Sequence, residues 1–234
     1  MLSELEDVVS PNVPAVDNKP QLPVLQSLWE RLDSASRSLM ALPNAGVEDI
    51  NKVRVALSHY DRFAREEILV EHDHFKLVGQ DNHRRYLPVS PMRIRIHHDD
   101  KAWEIVARCA AAVAAGCRAT VSCDSQISQQ LIDVLEQLTL PWAGRIEFVD
   151  ESDRELEEAV REGRAPRIRY ASSYRVPESI RRAANENFVY IADAPVLASS
   201  TELLWYVVEQ SVSFDYHRYG NLGPRAEEKR AAIL

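Results

Sequence analysis

Hydrophobic and polar positions change their period twice along this chain. Leu25, Leu28, Leu32, Ala35, Leu39 and Leu42 step by three and four, and Ile50, Val53, Leu57, Tyr60 and Ala64 repeat the step. The spacing predicts two amphipathic helices broken at Pro43, Asn44 and Gly46, a helical hairpin over residues 24–70. Its apolar seam needs a partner. Helices of this length dock on a sheet or on each other more often than they make a free coiled coil. From Met92 the period shifts to two: Met92–Ile96 alternates apolar and basic residues. Trp103, Val106, Ala110 and Val113 then return to helical spacing, with Asp99 and Asp100 as N-caps, and Gly116 sits where a helix end favours φ > 0. Ala119–Val121 is extended again. Strand, a connection of about twenty residues, and strand predict a crossover in a parallel sheet.

The alternation continues downstream. Ser125–Leu138 reads as a helix, Arg145–Val149 as a strand, and Ser152 with Glu155 as a capping box for a helix ending near Gly163. Arg167–Tyr170 is a strand, Pro177 opens a helix, and Phe188–Ala192 is a strand. Ser199 and Glu202 suggest a second capping box before a helix through "LLWYVVEQ", with Ser211–Phe214 extended beyond it. Six strands alternating with five helices predict an open, doubly wound, mostly parallel α/β sheet over residues 92–214. Residues 1–23, with Pro11, Pro14, Pro20 and Pro23, read as a linker or extended arm. Residues 71–91 read as a polar connector, offering at most a short edge strand at Arg85–Val89, and residues 215–234 as a polar C-terminal tail.

Composition narrows the function. A net charge of −8 argues against general affinity for nucleic acid or anionic membrane. No apolar run approaches the roughly 20 residues of a membrane span, and no signal-peptide pattern opens the sequence. Cys109, Cys117 and Cys123 have no motif spacing, which suits free thiols in a reducing compartment and a cytoplasmic location.

Several stretches resemble one family. "AAAVAAGCRATVSCDSQIS" looks like the "A-L-A-A-G-N-x-V-V-V-K-P-S" segment of the aldehyde dehydrogenase superfamily, and "LPWAGRIEFVDESDRELEEAVREGRAPRIRYASS" is similar to the next piece, which ends "F-T-G-S". "DHFKLVGQDNHRRYLP" and "EQSVSFDYHRYGNLG" resemble the C-terminal aldehyde-dehydrogenase-like domain of bacterial bifunctional proline dehydrogenase/L-glutamate γ-semialdehyde dehydrogenases. The resemblance covers residues 60 to 225 or so and implies a Rossmann-like sheet of aldehyde-dehydrogenase type. It also carries departures. The superfamily's ribose-contacting lysine falls at Ser122 or Cys123, the "F-T-G-S" glycine falls at Ser172, and the catalytic half with its nucleophilic cysteine has no counterpart. The resemblance therefore implies a non-catalytic accessory domain of proline catabolism without a bound cofactor. Its architectural partner would be a catalytic glutamate-semialdehyde dehydrogenase module or a second copy of the chain. The alternative is a domain that keeps NAD-dependent dehydrogenase or nucleotide-binding activity.

Other chemistry is weaker. Dinucleotide binding favours glycines at a helix N-terminus, but the first crossover opens "HHDDKA", whose acids repel phosphate. Asp99, Asp100 and Asp150 imitate a phosphoacceptor receiver site but lack its lysine, so helix caps are the better reading. His72 and His74, flanked by Glu71 and Asp73, have strand-type metal spacing within a loop. Adjacent His97 and His98 would point to opposite faces of a strand, which disfavours joint ligation. Arg93, Arg95, Arg84 and Arg85 suit salt bridges better than an anion site, and the cysteines suit small core hydrophobes. The aromatic tail, Phe214, Tyr216, His217, Tyr219 and Asn221, reads as an interface element. Ser211–Phe214 has no following helix to cover it, so its backbone is expected to pair with another chain.

Overall fold

The structure is a computed structural model that describes residues 18–40, 45–217 and 220–230. The arm to residue 17, the break at Pro43 and Asn44, and Tyr219 lie outside the described residues. Helices α1 (Pro23–Met40) and α2 (Val47–Phe63) form the hairpin, and α2 runs into a π-helical turn at Ala64–Ile68. Five strands follow the predicted alternation: β2 (Met92–Arg95), β3 (Ala119–Cys123), β4 (Ile146–Asp150), β5 (Arg167–Arg169) and β6 (Tyr190–Ala192). They are preceded by β1 (Gln80–Pro88) and followed by β7 (Val207–Asp215). The intervening helices are α3 (Ala102–Ala114), α4 (Gln129–Thr139), α5 (Asp153–Arg161) and α6 (Glu178–Glu186).

The five strands make one parallel sheet in the order β4-β3-β2-β5-β6. Order reverses at β2, between β3 and β5, as in a doubly wound α/β fold. One face carries α1 to α4 and the larger core; the other carries α5 and α6 over Leu156, Ile168, Tyr170 and Ile180. Helix α3 is buried almost all round. A helix so placed must be apolar on every side, and its alanines let the hairpin approach closely. The hairpin is fastened by more than its seam. Trp142 Nε1 donates to Val24 O (2.7 Å), and Tyr60 Oη donates to Leu197 O (2.6 Å). The Ser152–Glu155 capping box is present: Ser152 N donates to Glu155 Oε2 (2.7 Å) and Glu155 N to Ser152 Oγ (3.3 Å).

Three expectations change. The 71–91 connector contains the nine-residue strand β1. The helix expected through "LLWYVVEQ" is a 3₁₀ segment, Ser200–Tyr206, that passes into β7. The cause lies in the core: Glu202, expected as a cap residue, is fully buried against Arg169 instead. Finally, β7 does not extend the main sheet. It pairs antiparallel with β1 from Gln80↔Asp215 to Pro88↔Val207, a separate two-stranded ribbon.

Candidate functional site

A cavity of about 240 Å³ lies at the carboxyl ends of β2, β3 and β5, where the sheet order reverses. Doubly wound sheets bind ligands at such a point. Arg95, His97, Asp124, Asp153, Tyr170 and Arg175 line it, among others. Arg95, His97, Asp124 and Tyr170 reach the cavity because β2, β3 and β5 end beside it, whereas Asp153 opens α5 and Arg175 closes a 3₁₀ turn after β5.

The cationic groups are engaged. Arg95 donates to Glu151 O (2.5 Å) and to Asp153 Oδ1 (2.7 Å), and Arg93 faces Glu151 at 3.4 Å. Asp99 and Asp100 were expected as caps of α3. The N-cap is Lys101, whose N–H donates to Glu104 Oε2 (2.8 Å), a position that needs only a back-reaching acid at N3. Asp100 is drawn inward. It accepts from the buried Arg108 and, at 2.8 Å, from Arg175, which also meets Glu104 at 2.9 Å. The space beside the N-terminus of α3 is thus filled by the chain's own carboxylates and guanidinium groups. A pyrophosphate there would meet two acids where it wants free N–H groups. Tyr170 lines the same cavity and is fully buried, and its hydroxyl has no hydrogen-bond partner among the described residues.

His97 and His98 do not behave as strand residues. Strand β2 stops at Arg95, and the two rings come together in the following turn, centroids 4.0 Å apart. With Asp99 they bring ligand atoms within 4.8 Å of one another. Burial, and then His98 beside it, pull the His97 pKa below its ordinary value, so the ring is mainly neutral at pH 7. His72 and His74 also stack, at 5.0 Å, but Arg84 lies there: its guanidinium is 3.1 Å from His74 Nε2 and 2.9 Å from Glu67 Oε2. A resident cation occupies the place a metal would need.

The three cysteines are buried. Burial pushes Cys109 and Cys117 up to about 12 and raises Cys123, far from a reactive thiolate.

The tail is used largely within the chain. Tyr216 N donates to Gly79 O (3.0 Å), the Tyr216 hydroxyl accepts from Gly79 N (3.0 Å), and His217 Nδ1 lies 3.0 Å from the same carbonyl. Arg225 stacks 3.9 Å over the Tyr216 ring. Asn221 Oδ1 accepts from Gly223 N (2.8 Å), so Asn221 shapes a local turn. Phe214 differs: it is 59% exposed and stands edge-to-face with the His83 ring, centroids 6.5 Å apart. Register places it on the ribbon face that also carries Leu87, Val208 and Val212, with Leu87 and Val208 directly opposed and both exposed. Sequence reading missed this face because its β1 half fell in the supposed connector.

No family profile matches the sequence, and neither does any curated protein. Among the described residues, no helix is long and apolar enough to cross a membrane. Solved structures do match. Proline Utilization A (PutA) from Corynebacterium freiburgense is 23% identical, with a TM-score of 0.52 over 91% of this chain and 16% of that one. PutA from Bdellovibrio bacteriovorus is 20% identical, with a TM-score of 0.55 over 74% of this chain and 20% of its own. The 1-pyrroline-5-carboxylate dehydrogenase from Thermus, with bound NAD, is 17% identical, with a TM-score of 0.55 over 74% of this chain and 36% of its own. The chain spans well under half the length of each of these proteins, and at such identities the likeness is one of fold. The parallel five-stranded sheet with its helices has the Rossmann-like α/β fold of the aldehyde dehydrogenases.

Proposed function

We propose that this chain is a non-catalytic, aldehyde-dehydrogenase-like accessory domain of proline catabolism, and that it docks on a catalytic glutamate-semialdehyde dehydrogenase module. The observation that carries the reading is the occupied N-terminus of α3. Asp100, Arg108, Arg175 and Glu104 form a closed set of ion pairs where a dinucleotide would place its phosphates. Opening that set to admit NAD would strand buried charges, which costs several kcal/mol in such settings. Calorimetric titration with NAD⁺ and NADP⁺ is expected to give no saturable heat. Binding tighter than about 100 μM, roughly −5.5 kcal/mol, would reinstate a nucleotide-binding domain.

Docking falls to the β1–β7 ribbon. Among the described residues, β1 is the only ladder partner of β7, so the other edge of β7 is free to add a strand. The ribbon face with Leu87, Val208 and Phe214 supplies exposed apolar area beside that edge. Tyr216 is a poor probe of docking, since its removal would also release Gly79. Replacing Val208 and Phe214 by serine leaves those internal ties in place. The double variant is expected to keep its fold and lose affinity for the catalytic module, measured by light scattering of the mixture. Unchanged affinity would reject the ribbon as the docking element.

A further inference from the structure

We infer that His97, His98 and Asp99 form a binding site for a first-row divalent transition-metal ion, such as Zn²⁺ or Ni²⁺, at the rim of the sheet-end cavity. His97 Nδ1 lies 3.5 Å from one Asp99 carboxylate oxygen, and His98 Nε2 lies 3.4 Å from the other. Ligands held about 2.0–2.1 Å from a tetrahedral ion sit about 3.3 Å apart, close to each of these two spacings, and with all three ligand atoms within 4.8 Å of one another, ring rotation about a shared carboxylate oxygen would complete the set. Two imidazoles and a carboxylate suit zinc or nickel, whereas magnesium or calcium would want oxygen alone.

The turn explains how consecutive residues converge. In a strand they would diverge, but the strand ends two residues earlier, at Arg95. Asp100 anchors the turn from within: its carboxylate accepts from His97 N at 3.1 Å while held by Arg108 and Arg175. The ligand-bearing residues therefore sit on a backbone fixed by a buried charge. His97 Nδ1 accepts a long bond from Asp99 N, 3.2 Å, which an ion would displace. The ring torsions needed to aim both imidazoles are broad. Arg84 neutralises the other histidine pair, and no such cation bonds to this one among the described residues.

Three protein ligands leave a fourth position for water or an exogenous anion. His97 and His98 both line the cavity, so that position lies at its rim. The buried Tyr170 hydroxyl, without a partner among the described residues, lines the same cavity. The site is independent of the docking reading above, since the ribbon contributes nothing to it.

Competition of the full chain against a chromophoric zinc indicator tests the inference, with Co²⁺ visible absorption reporting coordination number. The chain is expected to take up one equivalent and to give the intense bands of four-coordinate Co²⁺. His98→Ala and Asp99→Asn alter exposed side chains (72% and 65%), so the fold is retained. Each should weaken uptake at least about tenfold, the lower end of what losing even a supporting residue costs a metal site. A His72→Ala/His74→Ala variant should bind as the unaltered chain does. Affinity weaker than about 100 μM overturns the inference. So does uptake that survives His98→Ala and Asp99→Asn, or that disappears with His72→Ala/His74→Ala.

Discussion

Replacing Glu202 by glutamine should be among the most damaging isosteric changes this domain can suffer. The carboxylate takes a fork of two bonds from Arg169, Nε to Oε1 and Nη2 to Oε2, both 2.9 Å, with both side chains fully buried. It also accepts from Tyr206 Oη (3.1 Å) and Leu197 N (3.1 Å). Glutamine keeps the volume and removes the charge, and its amide turns two donors toward a guanidinium that has only donors. Arg169 keeps the carbonyls of Tyr170, Ala192 and Ala194 but no counter-charge. Stripping one partner from such a buried pair costs about 3–5 kcal/mol. Whole domains are stable by about 5–15 kcal/mol. At about 2–4 °C per kcal/mol for a chain of this size, the midpoint should fall by about 6–20 °C. Urea unfolding followed by tryptophan fluorescence measures the change, provided the slope is unaltered. Glu162→Gln is the control, since its partner Arg164 is half exposed and such pairs are worth about 0–1 kcal/mol. If Glu202→Gln costs no more than Glu162→Gln, the pair does not clasp the 3₁₀ segment to the sheet, and the reasoning fails.

Gly79→Ala should loosen the base of the tail, because Gly79 holds φ +88° and an added Cβ would lie 2.8 Å from His217 Nδ1. Amide exchange at Tyr216 and His217 is expected to speed up, and unaltered protection would show that the tail is held elsewhere. Asp81 supplies a pH dependence: its bond from Arg225, with help from Arg230, lowers its pKa to about 2. The unfolded value is about 3.9, so this stabilisation is present above about pH 4 and is lost as pH falls through about 2. Limited proteolysis after Arg225 should report tail release in that window, and Asp81→Asn should release the tail at neutral pH.

The parts of the fold legible in the sequence are those that local periodicity decides. The hairpin, the strands from β2 to β6 and the α5 capping box each rest on residues a few positions apart, and pattern reading found them. The ribbon does not. Gln80 pairs with Asp215 and Pro88 with Val207, and the β1 half is too polar to look like a strand. Its two faces are solvated or covered by charged groups such as Glu67, which bonds Arg84, so no alternation of apolar residues marks it. "LLWYVVEQ" failed for a related reason. Short apolar runs fit helix and strand alike, and the choice here was made by Arg169, thirty-three residues before Glu202.

The site shows the same division at finer grain. Counting residues places His97 and His98 on opposite faces only while the strand continues, and after Ile96, whose N–H still bonds Ser122 O at 2.8 Å, the chain turns and that parity no longer holds. Asp100 has the opposite history. Its position before α3 favours a cap, yet Arg108, nearly two helical turns into α3, and Arg175, from the segment after β5, reach it from two directions. A cap is worth about 1 kcal/mol, whereas leaving the fully buried Arg108 without its counter-charge would cost several times that, so the long-range pairing prevails. The same choice has two consequences at the cavity. It removes the free N–H and positive field that would draw a phosphate to α3, and it pins the turn on which His97, His98 and Asp99 stand. The cavity at the sheet ends is therefore bordered by carboxylates, guanidinium groups and two imidazoles.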